Sequence, residues 1–235
     1  MAAIKLYQFG PAGGHESGSP FCIKLHYAMR YKRLPFETVN LATPNQIKKY
    51  NPRGKLPVLE YDSTLIADST EAVRYLELHN PEPRLYPADE RERAQALLLE
   101  DWADESLYWH VVYERWLIDD QYDKFAAEIL APMPALVRPL VKIIARRQSR
   151  ANLVGQGLGR VKPEEQRKML YDSLDWLDCI ADGAFLCGKE LSIADVAVAA
   201  QVTCLLDPIA PVVGAEVRKR KRLMAWYDRA MAVVA

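Results

Sequence analysis

The stretch Gly54-Lys55-Leu56-Pro57-Val58, followed by Asp68-Ser69, restricts the fold more than any other part of this 235-residue chain. Proline has no N–H, so Pro57 disrupts a sheet ladder and suits a strand's first residue. A cis bond before Pro57 would bend the chain and offer the Val58 backbone to an extended ligand strand. Asp68-Ser69-Thr70-Glu71 reads as a helix start, with Asp68 as N-cap and Glu71 in the N3 place of a capping box. Free N–H groups and the dipole at such an end attract a carboxylate. Each segment alone also fits a purely structural role. Their pairing points to a site for a peptide.

The surrounding pattern gives an architecture. Residues 4–9 are predicted as a strand, 10–19 as a Gly/Pro/Ser loop, and Pro20 as the first turn of a helix with Ser19 as N-cap. Phe21, Leu25, Ala28 and Met29 mark that helix's apolar face. A second strand over 36–41, a short helix over 44–50, a hairpin of 56–61 with 64–67, and a helix to about residue 79 come next. This βαβ-α-ββα order implies a four-stranded mixed sheet of thioredoxin-like type over residues 1–80. Residues 81–89 form a proline-rich linker, and residues 90–235 read as an all-helical domain. A long helix is predicted over 97–116, with Trp102, Trp109 and Trp116 along one face as core and subunit interface. Asp101, Asp104 and Glu105 read as solvated or dimer-interface charges. Prolines 132, 134 and 139 break the next segment, while Leu170, Leu174, Leu177 and Ala181 mark another buried face. Ser192 and Asp195 form a variant capping box, with Leu191 and Val196 as its hydrophobic staple.

Composition removes several classes. With 31 basic and 31 acidic residues the net charge is zero, so nothing global favours nucleic acid or an anionic membrane. The N-terminus lacks a signal peptide's apolar region, and no apolar run of about 18 residues spans a bilayer, so a soluble cytoplasmic protein is expected. Cys22, Cys179, Cys187 and Cys204 contain no C-x-x-C pair, and His15, His26, His79 and His110 are scattered. Neither a disulfide framework nor a metal site is expected. The basic run Arg218 to Arg222 reads as a solvated surface.

A thioredoxin-like start, a proline-rich linker and a helical remainder resemble the cytosolic glutathione S-transferase superfamily. The marks are Ser19-Pro20-Phe21-Cys22, Gly54 to Val58, Asp68-Ser69 and the Ser192-to-Asp195 box. The resemblance implies glutathione as co-substrate along the edge of the small domain, with no metal. Leu56, Pro57 and Val58 would border its cysteinyl part, Val58 through its backbone. Asp68 and Ser69 would take the γ-glutamyl end, and Lys55 the glycine carboxylate. It also implies a homodimer built on the first long helices of the helical domain. Gln156-Gly157-Leu158-Gly159-Arg160 with Pro163-Glu164-Glu165, and Ser106 to Trp109, look like the metaxin and failed-axon-connection branch.

Ser19-Pro20-Phe21-Cys22 stands where thiol oxidoreductases of this fold carry Cys-Pro-Tyr-Cys. Serine replaces the attacking cysteine, and Cys22, a turn into the helix, is expected to be buried and slow to react. A hydroxyl donating to glutathione's sulfur would favour thiolate over thiol, and the helix dipole adds to it. Ser19 is best placed for this, then Ser17, with Tyr7 as a third candidate. Alternatively, Ser19 serves only as a cap. His15 and Glu16 belong to a solvated loop, while Tyr108, His110 and Tyr113 could face a second, apolar substrate site. The expected activity is conjugation of glutathione to a small apolar electrophile, a detoxification chemistry. Alternatives are a non-catalytic binding protein on this fold and a glutathione-dependent peroxidase or reductase.

Overall fold

The computed structural model describes residues 3–234. Strands β1 (Ile4–Gln8), β2 (Glu37–Asn40), β3 (Val58–Tyr61) and β4 (Thr64–Ala67) form one sheet in the order β2-β1-β3-β4. β1 is parallel to β2, with Leu6 opposite Thr38, and antiparallel to β3, with Leu6 opposite Leu59. β3 and β4 form a hairpin through Asp62 and Ser63, whose φ values of 46° and 71° suit a two-residue turn with both central residues left-handed. The parallel pair needs a crossover, which α1 (Pro20–Tyr31) supplies. α2 (Pro44–Lys48) starts on a capping box. Thr43 Oγ1 accepts from the Gln46 N–H at 3.3 Å, and Gln46 Oε1 accepts from the Thr43 N–H at 3.1 Å. α3 (Ser69–His79) packs beside α1. The Leu56–Pro57 bond is cis.

The helical part contains α4 (Glu90–Trp102), a π-helical turn (Ala103–Leu107), α5 (Tyr108–Leu117), α6 (Asp119–Ile129) and α7 (Arg138–Gln156). It continues through α8 (Pro163–Ile180), α9 (Ile193–Leu205), α10 (Pro211–Arg218) and α11 (Lys221–Val234). The helix predicted over 97–116 begins earlier than expected, because Asp89 accepts the Glu92 N–H at 2.9 Å and caps a start at Glu90. The π turn inside it inserts extra backbone and re-aims α5. The three tryptophans therefore do not form one core seam. Trp102 packs on the main core, whereas Trp109 and Trp116 line a cavity. Pro139 opens α7, where a missing N–H costs nothing, instead of breaking a helix.

α9 is buried along its whole length and forms the centre of the molecule. The Asp195 carboxylate accepts the Ser192 N–H and hydroxyl at 2.9 Å each, the Leu186 N–H at 2.9 Å and the Trp226 indole N–H at 2.6 Å. Burial raises its pKa, and these four bonds act against that. α1 packs on α9, and the Tyr27 hydroxyl meets Thr203 Oγ1 at 2.9 Å. The sheet and the helical bundle thus share one apolar core. The basic run is largely solvated as expected: Arg218, Lys219, Lys221 and Arg222 are exposed, and only Arg220 is half-buried, pairing with Asp175 of α8 while Arg222 pairs with Asp178. Among the described residues no helix is long and apolar enough to cross a membrane.

Candidate functional site

A cavity of about 1230 Å³ is walled by both halves of the molecule. The sheet-bearing half contributes Ser19 before α1, Lys55, Leu56 and Pro57 before β3, and Asp68 and Ser69 at the start of α3, while the helical half adds the carboxylates of Glu100, Asp101, Asp104 and Glu105. Phe9 and Phe21 join Tyr108, Trp109 and Trp116 of α5 to form an aromatic wall. The rings of Phe21 and Tyr108 lie 4.6 Å apart, so aromatic surface is continuous across the two halves. Burial pushes the Tyr108 phenol up to about 12, so it is neutral near pH 7.

Ser19 occupies the N-cap position with extended backbone, but its hydroxyl makes no capping bond. Ser19 itself, a buried residue, borders the cavity at the positive end of α1. Asp68 caps α3 as expected, its Oδ1 accepting from the Thr70 N–H at 2.9 Å and the Glu71 N–H at 3.2 Å. The capping box is incomplete, because Glu71 turns to Arg74 at 2.7 Å. Ser69, nearly buried, comes directly after it and lines the cavity.

Five predicted site residues lie elsewhere. Val58 is fully buried and flanked in the sheet by Tyr7 and Ala67, so its backbone is not open to a ligand strand; Leu56 and Pro57 border the cavity instead. The Tyr7 hydroxyl donates to Glu60 at 2.5 Å and its ring stacks on Tyr50, away from the cavity; burial and the Glu60 bond both raise its pKa. Ser17 is buried, donating to the Phe9 carbonyl at 2.8 Å and accepting the Ser19 N–H at 3.2 Å. It shapes the loop and does not face the cavity. His110 is buried, with Gln166 Nε2 and His110 Nδ1 2.9 Å apart, and burial pulls its pKa down to about 4. The Tyr113 hydroxyl donates to the Val161 carbonyl at 3.0 Å inside the helical bundle. Both were expected from α5, but only one side of that helix faces the cavity.

Two buried ionic clusters were not anticipated. Lys24 Nζ, in the middle of α1, lies 2.6 Å from both Glu100 and Asp104 and 3.2 Å from Thr70 Oγ1. Burial raises the Asp104 carboxyl to about 6 despite the Lys24 charge, and its Oδ1 is buried without a protein partner. Asp104 is therefore not a solvated charge. The sequence signal was a lysine set between Phe21 and Ala28, on the apolar face of α1. In the second cluster Arg115 donates to Asp207 at 2.6 Å and to the Gly18 carbonyl at 3.0 Å, and its guanidinium lies 5.0 Å from the Phe125 ring centre. Gly13 has a φ of 66°, and a Cβ there would come within 2.1 Å of the Asp207 carboxylate. Its N–H donates to Glu128 at 2.6 Å, and Glu16 pairs with Arg30. The loop before α1 is thus fastened to the helical half, not solvated. Cys22 is fully buried, and burial raises its thiol pKa. Among the described residues no cluster of three potential metal ligands occurs.

A thioredoxin-like sheet domain joined to a helical domain, with the cleft between them, is the glutathione S-transferase fold. The family model for the glutathione S-transferase N-terminal domain matches residues 20–122, and that for the C-terminal domain matches residues 145–229. The chain belongs to the glutathione S-transferase superfamily. It is 26% identical over 212 residues to the isoprene-epoxide–glutathione S-transferase of Rhodococcus sp. strain AD45, covering 87% of each chain. The crystal structure of the β-etherase LigF from Sphingobium sp. strain SYK-6 superposes with a TM-score of 0.71 at 26% identity, over 97% of this chain and 94% of that one. FtsZ-localized protein A of Caulobacter vibrioides is 27% identical over 198 residues, 81% of this chain and 75% of that protein. These bacterial relatives are not metaxins. The segment that suggested the metaxin branch forms the end of α7, a 3-10 turn and the start of α8.

Proposed function

We propose that this protein is a glutathione S-transferase that adds the glutathione thiolate to an apolar, aromatic electrophile. The observation that carries this reading is a single cavity joining Ser19, at the positive end of α1, to the aromatic wall of Phe21, Tyr108, Trp109 and Trp116. The Leu56 backbone would hold the cysteinyl part, and Ser69 at the α3 start the γ-glutamyl carboxylate. Asp68 Oδ2, which makes no bond in capping, would take the ammonium, and Lys55 the glycine carboxylate. Ser19 would donate to the sulfur and lower its pKa. The thiolate then attacks carbon: the S–C bond forms as a leaving group departs with its electron pair, or as an epoxide C–O bond opens and its oxygen takes up a proton. Holding both reactants in one cleft supplies proximity. Disulfide or peroxide reduction through Cys22 is disfavoured by its complete burial.

A homodimer in the cytoplasm belongs to the same proposal, with Leu78 of α3 and Leu98 of α4, 78% and 71% exposed, at its interface. So do domain boundaries at residues 1–80 and 90–235. One observation favours a second reading. The similarity to FtsZ-localized protein A, whose name records a location and no reaction, is compatible with a binding protein on this scaffold.

Calorimetric titration with glutathione tests the site. Saturable binding weakened by Ser69→Ala, together with turnover of a chlorinated nitroaromatic or an epoxide that Ser19→Ala slows, supports the transferase. Absence of binding up to millimolar glutathione overturns it. Binding without turnover of any electrophile in a panel supports the binding protein.

A further inference from the structure

Helix α7 packs inward through Val141 and Leu153, flanked by half-buried Lys142 and Arg146, which pair with Asp123 and Asp119 of α6. Arg146 also donates to the Trp116 carbonyl at 3.0 Å. Its outward face is apolar at its start. Leu136, just before the helix, is 93% exposed, and Leu140, Ile143 and Ile144 are 62%, 67% and 58% exposed. Residues 140, 143, 144, 147 and 150 lie on one helical stripe, with Leu136 in the turn before it. Arg147 and Arg150 thus continue the apolar row, and neither forms an ion pair among the described residues.

The charge along this segment is one-sided in a chain of zero net charge. Between Glu128 and Glu164 there is no acidic residue and there are seven basic ones; Lys142 and Arg146 are neutralised by Asp123 and Asp119 of α6, whereas Arg138, Arg147 and Arg150 have no carboxylate partner among the described residues. The global balance read from composition hides this segment. We propose that the outward stripe of α7 docks on an anionic lipid surface, with Leu136, Leu140, Ile143 and Ile144 entering the headgroup boundary and Arg147 and Arg150 meeting lipid phosphates. An apolar face combined with basic residues is the pattern of a helix lying in a membrane interface. A second copy of the chain fits less well. A two-fold interface would set this stripe against itself and leave Arg147 and Arg150 with no carboxylate on the stripe to meet them. The inference does not depend on the proposed transferase activity. It does place the cavity well, because α7 also lines it through Ser149 and Asn152. Docking would bring the aromatic wall within about one helix diameter, ~10 Å, of a phase that concentrates apolar compounds.

Vesicle flotation tests this with the full chain. We expect the protein to float with phosphatidylglycerol–phosphatidylcholine vesicles, to stay behind with pure phosphatidylcholine, and to be released by high salt. Arg147→Glu/Arg150→Glu should weaken partitioning by roughly tenfold or more. Ile143→Ser/Ile144→Ser should also weaken it, with helical circular dichroism unchanged in both variants because the replaced side chains are exposed. No flotation with anionic vesicles, or flotation that neither variant weakens, overturns the proposal. Sedimentation in which the isoleucine variant dissociates a dimer that does not float would instead assign the stripe to a second copy.

Discussion

The pair Arg115–Asp207 is the sharpest place to perturb this molecule. Arg115 is 2% exposed and Asp207 1% exposed, with 2.6 Å between their bonded atoms. Replacing Asp207 with Asn keeps the size and removes the charge. Breaking a buried pair by removing one partner costs about 3–5 kcal/mol, because the other charge stays desolvated. An Asn carbonyl can still accept from the guanidinium, and the Gly18 carbonyl still does, so the lower end, ~3 kcal/mol, applies. For a chain of this size ~1 kcal/mol moves the melting point by about 2–4 °C, so Asp207→Asn should lower it by roughly 6–12 °C.

Thermal and urea unfolding of Asp207→Asn, Arg115→Met and the double variant give the assay. Arg115→Met leaves Asp207 buried, with the Ile209 N–H at 2.5 Å as its remaining partner, and should cost a similar amount. The double variant should cost clearly less than the sum, with a coupling of about 1.5–3 kcal/mol. A melting point for Asp207→Asn within about 2 °C of the parent, together with additive single effects, would refute the claim that this pair is desolvated and strongly coupled.

The same geometry makes three further outcomes testable. Ser19→Ala should lower kcat for glutathione conjugation roughly 10²-fold while shifting unfolding by under ~0.5 kcal/mol, since the hydroxyl makes no capping bond; a stability loss typical of a removed cap would make Ser19 structural. Tyr7→Phe should leave conjugation within about twofold of the parent, because the hydroxyl is held by Glu60 outside the cavity; a large fall in kcat would restore tyrosine as the thiol's partner. Asp104, raised by burial from 3.8 to about 6, keeps its proton in the folded chain while the unfolded chain releases it, so it lowers stability as pH rises across that window. Asp104→Asn removes that titration, so the variant's stability relative to the parent should rise between about pH 4 and pH 6, on top of a fixed cost for losing the Lys24 partner. Buried His26 and His110, lowered to about 4, act oppositely and remove stability as pH falls from 6.5, so the variant's acid-side loss in urea titrations should be steeper than the parent's. A pH-independent difference between variant and parent would contradict this assignment.

The sheet order, the crossover helix and the α9 start were legible because local chemistry decides them: prolines, caps and period-two or helical apolar spacing. The ligand-facing set was only half legible. Ser19, Lys55, Leu56, Pro57, Asp68, Ser69 and Tyr108 line the cavity, but Tyr7, Ser17, Val58, His110 and Tyr113 do not. The sequence places a residue on an element, but not on the side of the element that faces a cleft. Period-two alternation could not say which strand edge stays open, and Val58 lies between two strands. On α5 the π turn shifted the helical phase, so Trp109 and Trp116 face the cavity while His110 and Tyr113 point into the bundle. Lys24 and Arg115 escaped notice because a buried cation is defined by partners far along the chain, here 76 to 92 residues away.

The placement of those cations has a common consequence. Arg115 grips the Gly18 carbonyl just before α1, Lys24 ties its middle to Glu100 and Asp104, and Lys32 at its end donates to the Asn80 and Pro83 carbonyls at 2.7 and 2.9 Å. One helix is therefore held at its start, middle and end by groups belonging to the linker region and the helical half. Apolar packing against α9 would tolerate sliding along the axis, because the hydrophobic effect has no direction. Ionic hydrogen bonds have fixed lengths and orientations, so they define an axial register. Buried pairs bring little net stability compared with well-packed apolar substitutes. Their value here is geometric. They fix the N-terminus of α1, and with it Ser19, against the aromatic wall of α5, which sets the distance between a thiolate and the compound it would attack.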